Sequence, residues 1–121
     1  MAHTILIADD SISVRMYMRS ILEKEGYSVA EAINGIDALA KVETSKPDLL
    51  LLDLLMPQMD GIEVLAQLKE KKTALPIIVI TADVQDGVKD ECIMLGALAV
   101  VNKPVDFAKL LHSLSQILHQ A

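Results

Sequence analysis

The sequence predicts an α/β domain built on a parallel sheet, and three observations support this. Five short apolar runs alternate with five amphipathic stretches along the 121 residues. The middle run, residues 49–52, is four consecutive leucines, which indicates a strand buried on both faces. Five strand–helix units in a chain of this length fit a doubly wound sheet with helices on both sides.

The five strands are predicted where the apolar runs lie, because each run is short and is rich in Ile, Val or Leu. Pro47 and Pro76 mark the points where a preceding segment stops and a strand begins. The predicted strands cover residues 4–8, 27–31, 48–52, 76–80 and 98–102.

The helices are predicted from apolar residues that recur at helical spacing. The stripe of the first helix consists of Val14, Tyr17, Met18, Ile21 and Leu22. Further stripes predict helices over residues 36–42, 62–68 and 107–118, and a less regular one over 85–95, with Gly87 in its first turn. A chain of this size with five such units favours the flavodoxin-like strand order 2-1-3-4-5.

Composition predicts one domain, residues 1–121, in the cytoplasm. The formal net charge is −6 and no strongly basic segment exists, so nucleic-acid binding is disfavoured. The longest apolar stretch is too short to cross a membrane. The single cysteine, Cys92, and the absence of a signal peptide fit a reducing compartment. Because the chain ends shortly after the last stripe, no output domain is expected.

Polar residues with complementary chemistry follow four of the five predicted strands. Asp9 and Asp10 follow the first strand, Asp53 the third, Thr81 the fourth and Lys103 the fifth. Ligands of such sheets bind at the carboxyl ends of the strands. Two carboxylates about 4 Å apart repel by about 4 kcal/mol near a protein surface, and a hard cation such as Mg²⁺ relieves this. The set therefore predicts a site that stabilises a phosphoryl group on or near Asp53.

In this arrangement the chain resembles the receiver domains of bacterial two-component response regulators. The resemblance covers essentially the whole chain and rests on motifs that are weak singly but specific together. They are Asp9-Asp10, Asp53 followed by Met56-Pro57 and Asp60-Gly61, Thr81-Ala82, and Lys103-Pro104.

The resemblance implies a role for each site residue. Asp53 would accept phosphate from the phosphohistidine of a histidine kinase or a histidine phosphotransfer protein. Asp9 or Asp10, Asp53 and the backbone carbonyl of Leu55 would hold Mg²⁺, while Thr81 and Lys103 would contact the phosphoryl oxygens. The output would be altered binding of a downstream protein by a monomer or weak dimer, with a phosphatase as a further expected partner.

The position of Val100 departs from the receiver pattern. Most receivers carry Tyr or Phe three residues before the lysine, where this chain has Val100, whose single stiff χ angle does not allow the same rotation. We therefore expect residues 82–86 and the fourth helix to undergo the change on phosphorylation. Val84, Val88 and Val100 are candidates for an exposed apolar output patch, although completing the core is an equally good interpretation.

The same residues also bear on three other functions. A phosphohydrolase of the haloacid dehalogenase type normally has a second aspartate two residues after its nucleophile, where this chain has Leu55. Flavin binding lacks support because the first loop is acidic. A receiver that works without phosphate conflicts with the complete acidic set. Among receivers, chemotactic control and phosphate relay both remain open.

Overall fold

The computed structural model describes residues 2–83 and 85–119, in which β-strands and α-helices alternate throughout. The ten elements follow one another without interruption. They are β1 (Thr4–Ala8), α1 (Ile12–Lys24), β2 (Ser28–Ala32), α2 (Gly35–Ser45), β3 (Leu49–Leu52), α3 (Gly61–Glu70), β4 (Ile77–Thr81), α4 (Val88–Met94), β5 (Ala99–Asn102) and α5 (Phe107–Leu118).

The five strands form one parallel sheet in the order β2-β1-β3-β4-β5, which confirms the predicted fold class. Alternate residues of each central strand enter different core clusters, as a period of two requires. One cluster joins the sheet to α2, α3 and α4, and the other joins it to α1 and α5. Both faces of the sheet are covered, so functional side chains must lie at its edges.

Helix starts are fixed by side-chain caps at four of the five helices. Ser11, Asn34, Asp60 and Asp106 each accept a hydrogen bond from the backbone N–H three residues further along the chain. Helix α4 begins differently, at Gly87, which has φ +86° and no side-chain cap. This helix covers Val88–Met94 instead of the predicted 85–95, because the left-handed Gly87 ends the preceding loop and does not join the helix.

The predicted strand starts are early by one residue at four strands. Tyr27 shows the reason at β2: its N–H donates to the carbonyl of Leu22 and closes the end of α1, so the strand begins at Ser28. The predicted stripe of α1 is also partly wrong. Tyr17 is 62% exposed, and its ring packs edge-on against Phe107, whereas Arg15 is buried.

Candidate functional site

Three carboxylates and one ammonium group meet at the carboxyl edge of the sheet. Asp9 and Asp10 follow β1, and Asp53 follows the adjacent strand β3. One oxygen from each of the three lies within 4.8 Å of the others. Lys103, which follows β5, places its Nζ 3.1 Å from Oδ2 of Asp9 and 3.5 Å from Oδ2 of Asp53. Residues up to 94 positions apart in the sequence therefore form one cluster.

The two neighbouring aspartates differ in how firmly they are held. Asp9 is 4% exposed, and its Oδ1 accepts the backbone N–H of Ser11 at 2.9 Å. Its own N–H donates to the carbonyl of Ala32 at 3.1 Å, which joins the site to the end of β2. Asp10 is exposed. Asp9 is thus a fixed part of the site, while Asp10 faces the solvent from which a cation would arrive.

Asp53 is buried beside both a positive and a negative neighbour. It is 6% exposed, and its Oδ1 accepts the N–H of Leu55 at 3.3 Å. Burial raises the pKa of Asp53, and the negative charge of Asp9 adds to this. The Leu55 N–H and the Lys103 ammonium act in the opposite direction but only in part. The net raised pKa shows that the negative charge on Asp53 is incompletely compensated by the protein.

Lys103 stays charged in spite of its surroundings. Burial alone would lower the pKa of its ammonium, but the hydrogen bond to Asp9 and the charges of Asp53 and Asp9 raise it above the ordinary value. The peptide bond between Lys103 and Pro104 is cis. The distances from Nζ to Asp9 and Asp53 show that the positive charge of Lys103 is directed at two buried carboxylates.

Thr81 and Leu55 border the cluster from the neighbouring strand and loop. Thr81, the last residue of β4, is fully buried, and its hydroxyl oxygen accepts the N–H of Asp83 at 3.0 Å. The Leu55 side chain is 58% exposed. It lines an open groove of about 560 Å³ between the β3–α3 loop and α4. The groove is also lined by Leu54, Met56, Asp60, Ile62, Asp83, Gln85, Val88 and Glu91.

The chemistry of the cluster fits a hard divalent cation. All the donors contributed by Asp9, Asp10 and Asp53 are carboxylate oxygens, which Mg²⁺ and Ca²⁺ prefer. Three carboxylates against the single ammonium of Lys103 leave an excess of negative charge at one point. A cation bound there would offset this excess of negative charge. Its attraction to the carboxylates would be stronger than in bulk water, because the dielectric constant near buried groups is lower.

A second group of charged residues beneath the cluster was missed from the sequence. Nη1 of Arg15 donates to the backbone carbonyl of Asp9 at 2.7 Å, and its Nε donates to Glu31 at 2.8 Å. Glu31 also binds Arg19 at 2.7 Å. Burial opposes ionisation of Glu31, yet the hydrogen bonds and charges of the two arginines lower its pKa overall. The signal available was Glu31 itself, a charged residue at the end of an apolar strand.

The structure describes two of the three valines that are candidates for an output patch. Val88 and Val100 are half-buried and pack against the core cluster next to α3 and α4, so they contribute to the core. Val84 lies outside the described residues. The large exposed apolar side chains near α4 and β5 are instead Ile93, Met94 and Leu98.

Comparison with known proteins identifies the family. A family model described as the response regulator receiver domain matches residues 5–115. The chain belongs to the response regulator receiver domain family. This receiver domain is 38% identical to the chemotaxis protein CheY of Bacillus subtilis (strain 168), with 98% of this chain and 100% of CheY covered.

The same receiver domain also matches part of longer proteins. It is 42% identical to the alkaline phosphatase synthesis transcriptional regulatory protein PhoP of Bacillus subtilis (strain 168), over 83% of this chain but only 42% of PhoP. Among solved structures, a chain of the CheX–CheY–BeF3–Mg²⁺ complex from Borrelia burgdorferi superimposes with a TM-score of 0.89. That match is 29% identical and covers 96% of this chain and 89% of the other.

Membership of this family makes the chain a signalling domain of the phospho-accepting type. Across residues 2–83 and 85–119, none of the helices has the length and apolar character needed to span a bilayer.

Proposed function

We propose that Asp53 is the phosphoacceptor of this receiver domain and that the reaction depends on Mg²⁺. The observation that supports the proposal is the placement of the buried Asp53 carboxylate within 4.8 Å of Asp9 and Asp10 oxygens and 3.5 Å from the Lys103 ammonium. The solved relative in complex with BeF3 and Mg²⁺ has the same fold. Asp9, Asp10, Asp53 and the backbone carbonyl of Leu55 are the proposed cation ligands.

In the proposed reaction an oxygen of Asp53 attacks the phosphorus of a phosphohistidine. The new bond is an acyl phosphate, the P–N bond breaks, and the imidazole leaves with its electron pair and takes up a proton. Lys103 moves its ammonium from the carboxylates to a phosphoryl oxygen, and the Thr81 hydroxyl donates to another. Mg²⁺, when bound, supplies positive charge that offsets the charge of the carboxylates and the transferred group.

The proposed output is a change in partner binding. The hydroxyl of Thr81 accepts the Asp83 N–H, so a rotation of Thr81 toward a phosphoryl group breaks a bond that holds the following loop. Because Val100 replaces the usual aromatic residue, we propose that residues 82–86 and α4 undergo the change. The partners would be a histidine kinase or phosphotransfer protein, a downstream target and a phosphatase, all in the cytoplasm.

Mg²⁺-dependent labelling with a small phosphodonor tests the proposal. Acetyl phosphate or phosphoramidate should add one phosphoryl group, detected by intact mass, and EDTA should abolish the labelling. Asp53→Asn should not be labelled. Asp60→Asn is the matched control, because Asp60 is an exposed helix cap outside the cluster and asparagine caps equally well. Labelling that persists in Asp53→Asn would disprove the assignment.

A phosphohydrolase is the competing function, and a turnover assay separates the two. A receiver consumes one phosphoryl group per Asp53 and releases it slowly, whereas a phosphohydrolase turns over an external substrate continuously. We expect no sustained release of phenol from a generic aryl phosphate in the presence of Mg²⁺. Within the receiver function, the neighbouring genes distinguish chemotaxis from phosphate relay. Chemotaxis genes beside this one would indicate a role in chemotaxis.

A further inference from the structure

A buried arginine connects the acidic cluster to the edge strand β2. Arg15 lies in α1 and is only 8% exposed. Its Nη1 donates to the backbone carbonyl of Asp9 at 2.7 Å, and its Nε donates to Oε1 of Glu31 at 2.8 Å. A guanidinium holds its N–H groups in one rigid plane. The two bonds therefore fix the Asp9 carbonyl relative to the end of β2.

The Asp9 carbonyl belongs to the peptide group that joins Asp9 to Asp10. Because a peptide group is planar, fixing its oxygen also fixes the direction in which the Asp10 backbone leaves it. The Asp9 carboxylate has its own partners, Ser11 and Lys103. In the part of the chain that the structure describes, no side-chain hydrogen bond or ion pair holds the Asp10 carboxylate. Its position depends on the backbone that Arg15 holds.

The guanidinium is itself held in place by a network on β2. Oε2 of Glu31 accepts a hydrogen bond from Nε of Arg19 at 2.7 Å. Nη2 of Arg19 donates to the carbonyl of Val29 at 3.1 Å. Lys41, from α2, donates to the backbone carbonyl of Glu31. Arg19 and Lys41 thus hold the side chain and the backbone of Glu31. Its other carboxylate oxygen, Oε1, accepts a charge-assisted hydrogen bond from Nε of Arg15.

We propose that Arg15 is a positioning residue for the divalent cation. Through the Asp9 carbonyl it sets the orientation of the Asp9–Asp10 peptide, and with it the direction in which the Asp10 carboxylate presents its oxygens. Glu31 keeps the guanidinium in this orientation. The inference rests on the proposed function, since it concerns the same acidic cluster. Arg15 bonds to neither Asp53 nor Lys103 among the described residues, so it acts on cation binding and not on phosphoryl transfer.

The proposal is tested with Mg²⁺ itself, by calorimetric titration of the folded protein. Groups that orient metal ligands typically change affinity by about 10-fold or more when removed. Arg15→Met should weaken Mg²⁺ binding by about 10-fold. Lys24→Met is the matched control, because Lys24 lies at the far end of the same helix, is exposed, and bonds to neither Asp9 nor Glu31 in the described part of the chain. That control should change Mg²⁺ affinity less than about 3-fold.

Labelling kinetics give a second measurement that a purely structural role would not change. The Mg²⁺ concentration for half-maximal labelling by acetyl phosphate should rise in Arg15→Met by the same factor as the dissociation constant. The rate at saturating Mg²⁺ should stay within about 2-fold of wild type, because the reacting groups are untouched. A loss of rate at saturating Mg²⁺ with unchanged half-saturation would overturn the proposal.

The remaining outcomes are also decisive. If Arg15→Met matches either wild type or Lys24→Met in Mg²⁺ affinity, Arg15 only packs and the proposal is wrong. If Arg15→Met does not fold, Arg15→Lys replaces it, since lysine keeps the charge but cannot supply the planar pair of donors. We expect that variant to weaken Mg²⁺ binding several-fold, and unchanged affinity would refute the idea. A wild-type protein without Mg²⁺ binding or Asp53 labelling would refute the proposed function as well.

Discussion

At the scale of single residues, the lifetime of the proposed phosphoryl group on Asp53 would depend on whether neighbouring side chains can orient a water molecule. One neighbour is Leu55, whose N–H donates to Asp53 and whose side chain is 58% exposed in the adjoining groove. An apolar side chain offers no hydrogen bond to orient a water molecule for attack on phosphorus. We therefore expect the phosphorylated wild-type protein to be slow to lose its phosphate.

The variant Leu55→Asn tests this directly. An amide at this position can hold a water molecule near the phosphorus, so autodephosphorylation should accelerate several-fold, which corresponds to about 1 kcal/mol in the barrier. The decay of protein labelled by acetyl phosphate, followed by intact mass, gives the rate. Leu98→Asn is the control, because Leu98 is 55% exposed and lies at the opposite edge of the sheet, before β5. Equal lifetimes in all three proteins would exclude a role for Leu55.

The residue scale also shows what a sequence can and cannot predict. The sequence predicts Asp53 as a site residue because an ionised carboxylate directly after four leucines is costly unless something pairs with it. It does not predict Arg15, since an arginine in an amphipathic helix ordinarily faces solvent. Its burial depends on acceptors from Asp9 and Glu31, which the fold brings together from separate elements. Tertiary hydrogen bonds of this kind leave no periodic signal in the sequence.

At the scale of elements, the loop between β3 and α3 is held against the site by a close backbone approach. Gly61 begins α3, and its N–H donates to the carbonyl of Leu54 at 2.9 Å. A β-carbon at Gly61 would lie 2.5 Å from the carbonyl oxygen of Asp53 and 2.7 Å from Cα of Leu54. No side chain fits there without moving the segment that contains Asp53.

We predict that Gly61→Ala destabilises the protein and impairs the site together. Forcing a methyl group against backbone atoms typically costs about 1–3 kcal/mol of unfolding free energy. Displacement of the Asp53 segment should also slow labelling by acetyl phosphate at saturating Mg²⁺. Urea unfolding and the labelling rate measure the two effects.

Gly96→Ala is the control that separates the loss of stability from the slower labelling. Gly96 has φ +104° and open space around its β-carbon, so alanine there suffers only backbone strain of about 1 kcal/mol. Its labelling rate should equal that of wild type. If both glycine variants label normally, the close approach at Gly61 does not position Asp53.

The elements themselves were largely predictable, and their ends were not. Apolar periodicity identified all five strands and all five helices, because burial on both faces of a sheet imposes runs of Leu, Ile and Val. Boundaries depend on particular hydrogen bonds, such as the one from Tyr27 to Leu22 that delays β2. The start of α4 depends on the left-handed conformation of Gly87, which the helical pattern of residues 85–95 did not reveal.

At the scale of the whole molecule, the fold supports a cluster of like charges that opposes folding. The sheet is covered on both faces, and the net charge of the chain is −6. Asp9, Asp10 and Asp53 add concentrated repulsion at one edge, of which Lys103 offsets only part. Stability lost there in the free protein should return when a cation binds, since a ligand that binds only the native state stabilises it.

This coupling predicts a reversal of stability between wild type and Asp10→Asn. Without Mg²⁺ the variant should melt about 1–3 °C higher than wild type, because it lacks one repelling carboxylate. If the dissociation constant is on the order of 1 mM, 10 mM Mg²⁺ adds about 1.4 kcal/mol to the wild type, or about 5–6 °C. The variant should gain much less, so that wild type becomes the more stable protein. Thermal unfolding with and without Mg²⁺ measures both shifts, with NaCl at matched ionic strength as the control. Equal Mg²⁺ shifts in the two proteins would mean that Asp10 takes no part in binding the cation.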